Sequence, residues 1–203
     1  MIDELNGFMQ HRFVVPPQTQ QANPLGMSRV AVPGSLHDHY LPNFNNTRDF
    51  TPENNAEAAV ITRMESVHLQ TGLYVFGRAV LNADPLTPSF RALKGPAAVT
   101  AGTPRPSWYP TGTNPAATGD ALPDWKTIYP LAKRAMKSFA DGGSGFETSI
   151  GRWQIAARPV FASEEKCVAC HNSALGRMYS GFAQISLNQA VGGVIYAFRR
   201  GGV

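Results

Sequence analysis

The spacing of apolar residues predicts a first helix in the middle of the N-terminal half. Thr51, Pro52 and Glu53 suit an N-cap, a first helical position and a first turn, so we expect the helix to begin there and end near His68. Its expected buried positions recur every three or four residues: Ala56, Val60, Met64 and Val67. His68 follows Met64 by one turn and is predicted to lie on the same side.

A second helix is predicted over about residues 130 to 140. Its expected apolar face consists of Leu131, Ala135, Met136 and Phe139. Asp141-Gly142-Gly143 follows, and glycine there ends a helix.

Period-two alternation then predicts strands. Residues 146–150 and 152–160 flank Gly151, and two further strands are expected over 179–187 and 194–199, separated by a turn from Asn188 to Gly193. Residues 73–81 are apolar throughout and fit either a continued helix or a strand. The fold class expected is α+β, a small antiparallel sheet with flanking helices.

Two stretches lack periodicity. Residues 1–50, with five prolines and many Asn and Gln, are predicted to form an extended N-terminal arm, and residues 84–124 a long Pro-rich loop within the domain that spans 51–203. The arm contains His37 and His39. A polar turn is favoured for this pair over a metal or haem ligand, because alternate residues of an extended segment face opposite ways.

Composition narrows the function classes. The 203 residues suit one domain plus an arm; charged residues make up 16% of the chain and net charge is +4, with no long basic run, so a nucleic-acid interface is not indicated. No apolar run approaches the roughly 18 residues of a membrane helix.

The two cysteines carry the most specific signal. Cys167, Cys170 and His171 form the Cys-x-x-Cys-His sequence of c-type haem attachment, in which each thiol adds to one vinyl group of a porphyrin and the His binds iron. The sequence therefore predicts one covalent haem c. A redox disulfide, half a zinc site and a thioredoxin-like site are the alternatives, but zinc needs four ligands and residues 161–166 lack the strand-helix frame of a thioredoxin.

Haem attachment also predicts the compartment. It occurs on the exported side of the membrane, so a periplasmic or extracellular location is expected, although residues 1–29 contain no signal-peptide apolar region.

Beyond this motif, the order of several short segments resembles a family. These segments are Asn114-Pro115-Ala116, Leu122-Pro123-Asp124-Trp125, Trp153 to Val160, Cys167 to His171 and Val191 to Tyr196. In this order the chain, over about residues 53 to 200, resembles the bacterial and cyanobacterial single-haem c-type proteins with a PAS-like fold. The resemblance implies a haem between the sheet and the N-terminal helix, thioethers at Cys167 and Cys170, His171 as proximal ligand, and redox sensing or electron transfer.

The sixth iron ligand varies in that family. Met64 and His68 are the leading candidates here, because the resemblance sets their helix against the haem; Met136, Met178 and Tyr179 are others. Each methionine taken alone also fits a core role. Arg152, Arg158 and Arg177 are candidates to pair the haem propionates, or belong to a solvated strand face.

Three functions follow from these observations. The first is a monohaem cytochrome that transfers electrons as a subunit of a larger exported redox assembly. The cytochrome is expected to contact its redox partners, including other cytochrome subunits, through the N-terminal arm. The alternative is a haem-based redox or gas sensor. An enzyme such as a peroxidase is disfavoured, since no His and Arg acid-base pair stands at a recognisable spacing.

Overall fold

The computed structural model describes residues 1–14, 52, 54–81, 107–108, 122–173 and 184–200. The elements follow in chain order: α1 Ile2–Val14, α2 Asn55–Ser66, β1 Leu69–Gly77 with a 3-10 turn Arg78–Leu81, β2 Ser107–Trp108, α3 Trp125–Ala140, β3 Phe146–Ile150, β4 Trp153–Phe161, α4 Glu165–Asn172 and β5 Ala190–Arg200. The predictions for His37, His39, Arg177, Met178 and Tyr179 lie outside the described residues, as does most of the 84–124 loop.

The five strands form one antiparallel sheet in the order β2-β1-β5-β4-β3. One face carries α1 and α2 over Leu73, Val194 and Tyr196, and the other carries α3 over Ile155 and Ile195. Successive residues of a strand face opposite sides of the sheet. Because helices cover both sides, β1, β4 and β5 carry apolar residues on both faces. The α+β prediction is confirmed. No helix in the described part of the chain is long and apolar enough to cross a membrane.

The first 14 residues differ from their prediction. An extended arm over residues 1–50 is wrong for Ile2–Val14, which forms α1, and residues 15–50 lie outside the described part. Leu5 and Met9, one turn apart, are fully buried against the sheet. Apolar burial of this stripe supplies the stability that a 13-residue helix lacks in isolation.

Polar side chains of α1 complete the edge of β4. β3 pairs with β4 only as far as Ala157, so the backbone beyond it needs other partners. The Asn6 amide donates to Pro159 O at 3.2 Å. The Gln10 side chain accepts from Phe161 N at 2.8 Å and donates to Phe161 O at 3.0 Å, which replaces a neighbouring strand.

Gln10→Ala should therefore lower the free energy of unfolding by about 1–2 kcal/mol, because it leaves Phe161 N and O without these bonds. Urea denaturation measures the change. Gln154→Ala, at an exposed position of the same strand β4, is the control and should stay within about 0.5 kcal/mol of the parent. Equal stability of the Gln10 and Gln154 variants would contradict this role of α1.

Helix α2 begins and ends inside its predicted bounds. Its N-cap is Asn54 rather than Thr51, and the Asn54 side chain accepts from Glu57 N at 2.9 Å. The buried positions are Glu57, Val60, Ile61 and Met64, whereas Ala56 and Val67 are exposed. The observed buried face is therefore rotated around the helix axis from the predicted one, because α2 packs on the sheet through the side that carries Ile61. The undecided segment 73–81 is strand up to Gly77.

Helix α3 extends further than predicted, from Trp125 to Ala140. Asp124 caps it, accepting from Thr127 N at 2.8 Å and Thr127 Oγ1 at 2.6 Å, and these bonds hold the pKa of Asp124 below its ordinary value. The predicted glycine stop is confirmed: Gly142 has φ 87°, and Gly143 N donates to Ser138 O at 2.8 Å.

The C-terminal strands also need correction. The strands at 146–150 and 153–161 match their predictions, but residues 184–187, the described part of the expected 179–187 strand, are not strand. The turn lies at Leu187-Asn188, with Asn188 at φ 61°, and β5 begins at Ala190 instead of Val194. Gly192 and Gly193 therefore belong to the strand.

Candidate functional site

The Cys-x-x-Cys-His sequence lies within α4. The helix starts after Ser163-Glu164, where Glu164 O accepts from Cys167 N at 2.9 Å. In a helix, residues three and four apart are neighbours, so positions 167, 170 and 171 share one side of α4. This arrangement fits a porphyrin joined to one helix by two thioethers and an axial histidine.

Cys167 defines which side of α4 faces the sheet. Its thiol is not in a disulfide, it is partly buried, and it packs with Val168 against the apolar cluster on the α1/α2 face. At about 100° per residue, position 171 is within roughly 60° of both Cys167 and Val168 around the helix axis.

Asn172, the residue after the motif, bonds the segment that leads into β5. Its amide donates to Ile185 O at 2.8 Å, and its carbonyl accepts from Ile185 N at 2.8 Å. Ile185 is buried in the same apolar cluster. The two bonds hold the end of α4 to the segment that leads into β5.

The two candidate sixth ligands occupy different environments. Met64 is fully buried in the cluster against which Cys167 packs. His68 is exposed and has φ 52°, because α2 ends at Ser66 and the chain turns sharply into β1. The prediction that His68 shares the buried face of Met64 is wrong.

A second buried methionine was missed by sequence reasoning. Met9 of α1 is fully buried in the same cluster as Met64. The signal available was the helical spacing of Ile2, Leu5 and Met9, which the prolines and amides of the following residues obscured. Met136, by contrast, lies on the opposite face of the sheet, in the cluster under α3.

Arg158 is committed to protein partners. Its Nε donates to Asp3 Oδ1 at 2.6 Å and its Nη2 to Glu147 Oε1 at 2.7 Å, which joins α1 to β3. Burial lowers the pKa of Arg158, and the bonds to Asp3 and Glu147 more than offset this, so its pKa is raised. Arg152 is exposed at the turn between β3 and β4.

Two open cavities are formed by the described residues. One, of about 690 Å³, is lined by residues of α1 and α2, among them Phe8, His11 and Arg63. The other, of about 530 Å³, lies beside Arg158 and Glu147. Cys167 lines neither cavity. Among the described residues, no group of three or more His, Cys, Asp or Glu side chains is placed to hold a metal ion.

Comparison with known proteins assigns no relative. No family model, no curated protein and no solved structure matches this chain.

Proposed function

We propose that this protein is a monohaem c-type cytochrome that transfers electrons within an exported redox assembly. The observation that carries the proposal is the helical placement of Cys167, Cys170 and His171 on one side of α4, with Cys167 outside any disulfide. The two thiols would hold the porphyrin and His171 would bind its iron from the proximal side. When bound, the haem supplies one-electron chemistry.

The protein's own contribution is to fix and shield this attachment point. Val168 anchors α4 on the apolar cluster, and Asn172 ties its end to Ile185. An apolar environment disfavours net charge near the iron and thereby tunes its potential. Met64 shares this environment and His68 does not, which favours Met64 as the sixth ligand.

The sheet supports the PAS-like part of the proposal. The resemblance implies an antiparallel sheet with flanking helices, and this chain has five antiparallel strands with helices on both faces. The same sheet would suit a sensor, so the redox experiment below distinguishes the two functions.

Haem attachment is tested by expressing the full chain together with a c-type haem maturation system. The pyridine haemochrome spectrum should report one covalent haem per chain. Cys167→Ser with Cys170→Ser should lose it, because no thioether forms. Ala169→Ser, at the exposed position between the cysteines, keeps the motif and should retain the haem. A native chain with no covalent haem, or one that binds zinc instead, would refute the proposal.

Electron transfer is tested on the haem-loaded chain by mediated redox titration. We expect a reversible one-electron couple and a six-coordinate, low-spin iron. A five-coordinate ferrous iron that binds carbon monoxide, with no reversible couple, would instead identify a sensor.

A further inference from the structure

Strand β3 forms an edge of the sheet with little of the usual protection. It pairs with β4 over five consecutive residues, and no strand among the described ranges lies on its other side. Natural edge strands are blunted by bulges, charged side chains (especially Lys), Pro or shortness, and the one charged side chain of β3, Glu147, is paired with Arg158. The β3/β4 register has no irregularity, and Phe146–Ile150 contains neither Lys nor Pro. At the opposite edge, β2 has two residues.

We propose that this edge pairs with β3 of a second copy of the chain, antiparallel, around a two-fold axis at Thr148. Thr148 then faces Thr148, Phe146 faces Ile150 of the second copy, and Glu147 faces Ser149. Apolar pairs and Thr–Thr pairs are favourable across strands, and the Ser149 hydroxyl can donate to the Glu147 carboxylate. A closed two-fold contact of this kind is the commonest form of self-association.

Neighbouring registers are worse. A shift of one pair towards the N-terminus sets Glu147 directly against Glu147 of the second copy, and like charges directly opposite are destabilising. A shift towards the C-terminus sets Phe146 against Arg152, which is exposed in the turn after β3, and breaks the apolar pair. A single-residue slip would turn the apolar side chains of one copy to the opposite face.

The proposed register continues both layers of the fold across the axis. Phe146 and Ile150 are partly buried and pack on the α3 side of the sheet, where the Arg134 guanidinium lies 4.1 Å from the centre of the Phe146 ring. On the other side, the Glu147 carboxylate is held by Arg158 at 2.7 Å, which places a cation beside the one charged residue of β3.

Five residue pairs make a small interface, so the dimer should depend on concentration. Light scattering on the full chain over a concentration series should show monomer passing to dimer. Thr148→Lys opposes two ammonium groups at the axis and should return the chain to monomer. Thr62→Lys, on the exposed side of α2, is the matched control and should still dimerise. A monomer at every concentration, or a dimer that Thr148→Lys leaves intact, would overturn the proposal.

Disulfide trapping tests the register. Directly opposite residues of an antiparallel pair have Cα atoms about 4.5–5.5 Å apart, within reach of a disulfide. Thr148→Cys should therefore cross-link faster than Glu147→Cys or Ser149→Cys, which face a different residue. Peptide mass mapping distinguishes a 148–148 link from one through Cys167 or Cys170, and the parent chain is oxidised in parallel. Equal rates for the three variants would refute this register.

Discussion

Gly192→Ala should lower the free energy of unfolding by about 3 kcal/mol, near the upper end of overpacking costs. Gly192 lies in the buried strand β5, and a Cβ built there would be 2.5 Å from Phe76 O of β1. The obstacle is backbone of a paired strand, so relief requires β1 and β5 to separate, which weakens their hydrogen bonds. Urea denaturation followed by circular dichroism measures the loss.

Gly7→Ala is the matched control for this prediction. Gly7 is within α1, and a Cβ there would meet nothing within 4 Å. Because Ala favours a helix over Gly, this variant should gain roughly 0.5–1 kcal/mol. The two Gly→Ala substitutions are thus expected to change the free energy of unfolding in opposite directions. A Gly192 variant as stable as the parent would contradict the close approach of β5 to β1.

Gly192 and Gly193 also show how a local signal led to a wrong prediction. Consecutive glycines are typical of turns, and the turn was predicted to continue to Gly193. In the structure Gly193 lies within β5, and the position suits glycine because a Cβ there would be 2.7 Å from the rings of Phe76 and Phe139. Glycine in a strand often marks such a close approach, but the approaching rings come from distant elements that a local pattern does not contain.

The difference between local signals and long-range contacts also separates the elements that the sequence predicted correctly from those that it did not. α3, β3 and β4 were predictable because their apolar period and end signals are local. α1 was not predicted, because its partners are about 150 residues away in sequence: Gln10 bonds Phe161, and Asp3 bonds Arg158. Tertiary contacts, rather than helix propensity, decide such a segment.

For the candidate site, the motif could be identified from sequence because thioether chemistry itself requires two thiols and a histidine at fixed spacing. The position of His68 could not. It depends on where α2 ends, and the chain leaves the helix at Val67 to enter β1. The predicted helix ran to His68, two residues beyond its end at Ser66, and this placed an exposed histidine on the buried face.

The second large effect is expected at Met64. Met64→Ala should lower the free energy of unfolding by about 2–5 kcal/mol, because it opens a cavity in the cluster formed with Leu5 and Met9. Met64→Leu conserves volume and should cost less than about 1.5 kcal/mol. His68→Leu replaces an exposed side chain and is the control; because its backbone is left-handed (φ 52°), which disfavours Leu, we expect a loss of up to about 1 kcal/mol, below that of Met64→Ala. Denaturant titration of the three variants gives these values.

The Leu variants separate packing from iron ligation. Leu fills the space of Met64 but has no thioether, so in the haem-loaded protein Met64→Leu should change the ferric spectrum and lower the potential while the fold persists. His68→Leu should change neither. If His68→Leu alone alters the spectrum, the exposed histidine reaches the iron and Met64 is a core residue. If neither variant alters it, both residues are excluded as sixth ligand, and the stability loss of Met64→Ala then measures packing alone.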